Sequence, residues 1–375
     1  MATTATALVQ TAPYEQHFEE IPLPVIEPGA ALIRVEANGL CASDIDSFEG
    51  VDPVYAPGDM SRYPRINGHE IVGIIEELGE MTSARAGLKV GDRVAVNPFL
   101  SCGSCPACRR DDVSFCTGWD FQQNCYGYIP LRYAPGLWGG YSTHVYVHPQ
   151  AILYRFPADV SPLDATLWNP LAGGIQWAVM NAGTTIGSRV GILGTGQRGM
   201  ACAAAAKAAG AGVVVTTGLT RDAHKLELAR QLGADVTVDV ETEDLRAAVD
   251  GATGGEGLDI IIDTTPGATH VLGEAIEMLR PGGTLVTVGI KTRTVPDFPI
   301  DRVTTRGIRI VGSLGQTHEA YAKAAALIAS HSMPLHLMRT HVLGFDHLDH
   351  AIELLRGSVA GQSAVNIVVT PTFGN

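Results

Sequence analysis

A chain of 375 residues, 46% of them hydrophobic and only 17% charged, is long enough for two domains with full cores and too apolar to be disordered. A net charge of −13 without any basic run argues against a nucleic-acid surface, and no apolar run reaches membrane-spanning length. The N-terminal stretch MATTATALVQTAPYEQHFEE lacks the apolar block of a signal peptide, so a cytoplasmic protein is expected; seven cysteines, four of them clustered, suit metal ligation better than a disulfide framework.

Up to about residue 165 the chain reads as β-rich. The segments 31–37, 70–77 and 93–97 are short and rich in β-branched residues, and Gly, Pro or Asp bounds each one. Gly39–Asp46 and Gly68-His69-Glu70 fall at strand junctions, where loops carry chemistry. Residues 51–66 and 117–138, rich in Pro, Tyr and Trp, read as long loops walling a pocket. Between them Cys102, Cys105, Cys108 and Cys116 give C-x2-C-x2-C-x7-C, four thiolates able to close a tetrahedral zinc site. The rival is an iron–sulfur cluster, but the ferredoxin run puts its fourth cysteine after three residues and before proline; here seven intervene and Thr117 follows. Arg109 and Arg110 are followed at once by Asp111 and Asp112, which disfavours a nucleic-acid zinc finger.

From about residue 170 the pattern changes to strand–helix alternation, predicting a parallel sheet with helices on both faces. Strands are expected at 190–193, 213–217, 236–240, 259–263, 284–288 and 308–312, with helices at 222–232 and 271–279 among those between them. The first strand runs into Gly194-Thr195-Gly196-Gln197-Arg198-Gly199 and then an alanine-rich helix. Strand, glycine turn and helix in that order make a candidate dinucleotide site. Gly194 permits the turn, Gly196 admits a pyrophosphate, Gly199 lets helix and strand pack, and the helix N-terminus from Gln197 on offers N–H groups to the phosphates. The alternative is an ordinary glycine-rich turn heading a βαβ unit. Helices at 318–330 and 347–355 and a strand at 364–369 close the chain and are expected to return to the first domain.

In order, GLCASD, GHE, GDRV, the four-cysteine lobe, NPLA at 169–172 and GTGQRG resemble one family, the zinc-containing alcohol dehydrogenases of the medium-chain dehydrogenase/reductase superfamily, over essentially the whole chain. The resemblance implies an α/β protein with a GroES-like β-rich catalytic domain over residues 1–168, including a structural-zinc lobe at about 98–118. A Rossmann doubly wound parallel-sheet domain follows over 169–318, and residues 319–375 return to the catalytic domain. It also implies a catalytic zinc on Cys41 and His69 with Glu70 as a close carboxylate, Ser43 hydrogen-bonding the substrate hydroxyl at the head of a proton relay, and Asp44 bracing the loop or a ligand histidine. The implied reaction is hydride exchange between an alcohol carbon and a nicotinamide, assisted by zinc as Lewis acid. Family members form dimers or tetramers through edge strands of the nucleotide domain, for which 284–289 and 308–312 would serve.

Departures from the pattern carry their own expectations. Asn169 stands where many relatives bring Cys, Glu or Asp to the zinc; a carboxamide is a poor zinc ligand, so Glu70 or water is expected to complete the coordination with Asn169 behind it. Asp46 replaces the histidine that ends the relay in many relatives, and is either the terminal base or an exposed loop carboxylate. The acid that grips the ribose of NAD, about 20 positions on, is replaced by Gly218, followed by Thr220 and Arg221, which favours NADP over NAD. Asp222, able to bind a hydroxyl or cap the next helix, tempers that preference. Arg198, unusual in the glycine turn, is expected to supply charge to the pyrophosphate where Ala42 supplies none, the alternative being an ordinary surface arginine.

Tyr55, Trp119, Phe121, Tyr133, Trp138 and Trp168 are candidate walls of an apolar pocket, or ordinary core. They favour a mid-sized secondary or aromatic alcohol, or the matching carbonyl; the zinc-site pattern also resembles polyol and threonine dehydrogenases. A zinc-free quinone or enoyl reductase, or a non-catalytic NADP-binding structural or regulatory protein, would leave the Cys41, His69 and Glu70 set without purpose. No nucleic-acid or membrane partner is expected, only a small-molecule substrate and copies of the chain itself.

Overall fold

Two kinds of apolar pattern give two kinds of sheet. The computed structural model describes residues 3–51, 62–80, 87–118 and 124–373. The chain divides into one unit formed by Met1–Trp168 with Arg339–Asn375 and a second formed by Asn169–Met338. The first opens with β1 (Thr4–Ala12), β2 (Glu15–Pro22), β3 (Ala31–Gly39), β4 (Arg65–Ile66), β5 (Glu70–Leu78), β6 (Arg93–Val96), β7 (His144–Val147) and β8 (Leu153–Phe156). The second contributes β9 (Arg189–Leu193), β10 (Val213–Gly218), β11 (Val236–Asp239), β12 (Leu258–Asp263), β13 (Leu279–Thr287) and β14 (Arg309–Gly312). The chain then returns with β15 (Arg339–Gly344) and β16 (Asn366–Thr370).

In the first unit β2, β1 and β4 form a small antiparallel sheet. A seven-stranded sheet has the order β15-β16-β3-β5-β6-β8, with β7 also pairing β3. Ile33, Val35, Ile71, Ile75, Val94 and Val96 fill one core with residues of the returning segment such as Phe345, Leu348 and Ile367. The β3–β5 register sets Gly39 opposite Glu70, which brings the residues after β3 beside those before β5.

All neighbours in the second unit's sheet are parallel, in the order β11-β10-β9-β12-β13-β14. Its central strands β9, β10 and β12 are mostly buried on both faces and read as largely apolar runs, Ile260–Ile262 being the clearest. The strand order reverses between β9 and β12, the switch point outside whose carboxyl ends open α/β sheets bind ligands. The helix after β9, Gln197–Ala208, buries Ala201, Cys202 and Ala203–Ala206, and such small side chains let it lie close on the sheet.

Two positions differ from the sequence expectation. The helix His318–Ala329 belongs to the second unit, because Tyr321 and Ala324 are buried there and Thr317 at its N-cap donates to Gln176 Oε1; the return begins at Arg339 and not at 319. Strand β13 lies between β12 and β14, so the segment 284–289 offers no free sheet edge for assembly; among these strands only β14 and β11 are edges.

Candidate metal centres and glycine turn

Cys41 is the N-cap of the helix Ala42–Glu49, two residues beyond the end of β3. Its extended backbone (φ −109°, ψ 157°) lets Asp44, at the third helical position, accept the Cys41 N–H at 2.8 Å. Glu70 begins β5 opposite Gly39, and a Cβ on Gly39 would stand 2.4 Å from Glu70 Oε2, so only glycine leaves room for that carboxylate. One ligand atom each from Cys41, His69 and Glu70 lies within 4.8 Å of the others. Among the described residues His69 Nδ1 is buried without a hydrogen bond, 3.8 Å from Asp44 Oδ1. Burial works to lower the His69 pKa, but Asp44, Cys41 and Glu70 reverse that and lift it to about 9. Burial raises the Asp44 carboxyl, with His69 pulling the other way. A thiol, an imidazole and a carboxyl that crowd together in a buried space fit a zinc ion, which takes this mixture of donors.

Ser43 is half-buried on the same helix, and Asp46 is exposed one turn further on, at the i,i+3 spacing that shares a face. The Asp46 carboxyl is raised by partial desolvation and then by Glu49 and Cys41. Tyr128, tilted against the His69 ring at 6.0 Å, and the buried Tyr141, on which Asp44, Glu70 and Cys41 act, complete the surroundings. Sequence reasoning missed both, because no spacing ties residues so distant in the chain to His69.

The four lobe cysteines also bring their sulfurs within 4.8 Å of one another. The N–H groups of Cys105 and Cys108 point at the sulfurs three residues before them, at 3.4 and 3.5 Å, as the short helix Pro106–Arg109 begins. Such N–H bonds hold the Cys105 thiol down to about 5, whereas burial and neighbouring thiols push Cys108 up to about 12. Four thiols this close ionise together only around a cation, so the lobe too fits zinc.

In the second unit Gly194 (φ +104°) turns the chain out of β9, and Gly196 caps the following helix without any side-chain hydrogen bond. A Cβ on Gly199 would stand 2.0 Å from the Gly194 carbonyl oxygen; one on Gly196 would meet no atom of the described residues within 4 Å. The turn is closed on its sheet side and open at Gly196, as a phosphate-binding turn requires. Arg198 is the second residue of the helix that follows the turn. Its Nη1 donates to the Asn169 carbonyl at 3.0 Å and its guanidinium lies over Trp177, 5.7 Å from the ring centroid. Asn169 Oδ1 in turn lies 3.2 Å from Tyr321 Oη.

Beyond β10, whose last residue is Gly218, the Thr220 hydroxyl donates to Asp239 at 2.7 Å and its N–H to Glu241 at 2.9 Å, so Thr220 has no donor left for a phosphate. Asp222 accepts the Leu219 N–H and pairs with Lys225 at 3.0 Å. Arg221 is exposed and makes no hydrogen bond or ion pair among the described residues. Of the aromatic residues expected to line a pocket, Tyr55, Trp119 and Phe121 lie outside the described residues. Trp168 is completely buried against Tyr154, and Trp138 is core, its Nε1 donating to the Tyr133 carbonyl; neither presents a wall to a substrate.

Residues 27–158 match the family described as "Alcohol dehydrogenase GroES-like domain" and residues 199–330 that described as "Zinc-binding dehydrogenase". "Probable alcohol dehydrogenase adh" of Mycobacterium tuberculosis H37Rv is 39% identical over 370 residues, spanning 97% of this chain and 98% of that protein. The erythritol/L-threitol dehydrogenase of Mycolicibacterium smegmatis is 29% identical over 371 residues, spanning 97% of each. Among solved structures, 2R,3R-butanediol dehydrogenase from Bacillus subtilis superposes with a TM-score of 0.81 at 26% identity, covering 98% of this chain and 100% of that one. The six ordered motifs, the two donor clusters and these relatives agree: the chain belongs to the zinc-containing alcohol dehydrogenases of the medium-chain dehydrogenase/reductase superfamily, NAD(P)-dependent oxidoreductases.

Proposed function

We propose that the chain oxidises a mid-sized, largely apolar secondary alcohol to its ketone, catalyses the reverse reduction, and prefers NADP to NAD. The observation that carries the reading is the convergence of the Cys41, His69 and Glu70 donors. Cys41 and His69 would hold the catalytic zinc with Glu70 beside them, and Cys102, Cys105, Cys108 and Cys116 a structural one. When bound, zinc supplies Lewis acidity toward the alcohol or carbonyl oxygen and the nicotinamide supplies the carbon that takes or gives hydride. The Ser43 hydroxyl receives the proton of the substrate hydroxyl, and the Asp46 carboxylate, one helical turn away, takes it on toward solvent. Asp44 moves no proton; it fixes the Cys41 backbone and faces the His69 ring. The helix N-terminus at Gly196 and Gln197 receives the pyrophosphate. A zinc-free reductase or a non-catalytic binding protein would give the two donor clusters nothing to do.

The preference for NADP is supported by Gly218, which presents no carboxylate to a 2′-phosphate, and by the unengaged Arg221; Asp222 is occupied by Leu219 and Lys225. A polyol is the second reading for the substrate, supported by the tetritol named for the Mycolicibacterium relative. Assembly into two or four copies would use the exposed edge of β14, where Ile310 is accessible. No helix among the described residues is long and apolar enough to cross a membrane, and we place the enzyme in the cytoplasm.

A panel of primary, secondary, aromatic and polyhydric alcohols with their carbonyls, followed by nicotinamide absorbance with both cofactors, tests the reading. The highest kcat/KM is expected for a secondary alcohol with NADP. Best turnover on tetritols or pentitols establishes the polyol reading instead, and a strong NAD preference overturns the cofactor assignment.

A further inference from the structure

The carboxyl ends of β9 and β12 flank the switch point of the parallel sheet, and β12 ends in a fully buried Asp263. Its Oδ1 accepts the Thr265 N–H at 3.0 Å and the Thr265 hydroxyl at 2.5 Å. Its Oδ2 meets Lys291 Nζ at 2.7 Å, with that lysine nine-tenths buried. Lys291, four residues past the end of β13, also donates to the Thr265 carbonyl at 2.5 Å and to its hydroxyl at 3.1 Å. The two backbones are joined as well: Val288 N–H and Gly289 N–H both donate to the Asp263 carbonyl, and Gly267 N–H to that of Ile290. A Cβ on Gly289 would come 2.3 Å from the Thr265 carbonyl oxygen, so the two loops meet as closely as backbones can.

What this ion pair holds in place is Thr264. Its N–H and hydroxyl both donate to the Leu193 carbonyl, at 3.0 and 2.8 Å, and its Oγ1 lies 3.0 and 3.2 Å from where side chains at Gly194 and Gly199 would begin. Thr264 is therefore the wall against which the glycine turn rests. A buried ion pair is a costly way to gain stability, since apolar residues of the same volume do as well or better. Its use here is geometric.

We propose that Asp263 and Lys291 are positioning residues for the dinucleotide: together they set the 264–267 loop against the glycine turn and so determine the turn's affinity for a pyrophosphate-linked dinucleotide. This rests on the reading of the turn as the cofactor site. Neither residue takes part in the hydride or proton steps.

Fluorescence titration of the zinc-loaded protein with NAD and with NADP, together with steady-state kinetics, tests the proposal. Lys291→Met and Asp263→Asn are each expected to raise the Kd of both dinucleotides at least about tenfold, with kcat at saturating cofactor within about threefold of wild type. Lys291→Arg, which keeps the charge, recovers most of the affinity, and the double variant Asp263→Asn with Lys291→Met is no worse than the poorer single one. Should Lys291→Met not fold, Asp263→Asn and Lys291→Arg carry the comparison. Single variants within about twofold of the wild-type Kd, or losses that multiply in the double variant, overturn the proposal. A wild type that binds neither dinucleotide overturns the cofactor assignment itself, an outcome distinct from normal binding by wild type and variants alike.

Discussion

Gly39 and Asp44 flank Cys41, and each shapes the metal centre by a different force. At Gly39 it is steric: a methyl group there would overlap Glu70 Oε2. Gly39→Ala is expected to displace the carboxylate and lower kcat/KM by at least about tenfold, with the far-UV spectrum unchanged. At Asp44 it is a hydrogen bond to the Cys41 N–H combined with charge facing His69. Asp44→Ala should cost about 1 kcal/mol of stability through the lost cap, measured by urea unfolding, and about 10–100-fold in zinc affinity, measured by chelator competition. The donor residues of the candidate centre were legible in the sequence because GLCASD and GHE are contiguous motifs. The partners of Arg198 were not, since Asn169 and Trp177 reach it only through tertiary packing.

At the scale of elements, the turn from β9 into its helix separates fold from function cleanly. Among the described residues a methyl at Gly196 meets no protein atom, so Gly196→Ala should leave Tm within about 2 °C while, on the proposed reading of the turn as the pyrophosphate site, raising the cofactor KM at least about tenfold. At the opposite end of the sheet Asp259, at the start of β12, takes Arg189 from β9 and Arg280 from β13. Burial works to raise its carboxyl, yet the two guanidinium groups bring it down to about 2. Because the folded value lies below the unfolded one, the stabilisation is complete above the usual carboxylate range and is lost as pH falls from about 4 toward 2. Asp259→Asn is expected to lose about 1–2 kcal/mol at neutral pH, after allowance for solvent screening, and to show a shallower acid decline in urea unfolding across that window. The parallel strands were legible as short, β-branched, largely apolar segments alternating with helical ones, Ile260–Ile262 being the clearest. Strand β2 was not, because Glu15–Pro22 is polar and has no fully buried residue, so it lacks the hydrophobic alternation by which strands announce themselves. The helix His318–Ala329 read correctly as amphipathic, but which unit its apolar face covers depends on Tyr321 and Gln176, which periodicity does not reveal.

For the whole molecule, one unit supplies both donor clusters and the other the glycine turn, and the account depends most on the smaller of the two clusters. Metal analysis of purified protein, run beside turnover of a secondary alcohol, tests it directly. Wild type should carry two zinc ions per chain, one for each cluster. Cys41→Ala should retain only the ion of the cysteine lobe and lose turnover by at least about a thousandfold, with the fold intact by circular dichroism. A Cys41→Ala protein that keeps both ions, or one that still turns the alcohol over at the wild-type rate, would contradict the assignment of Cys41, His69 and Glu70 as the catalytic metal centre.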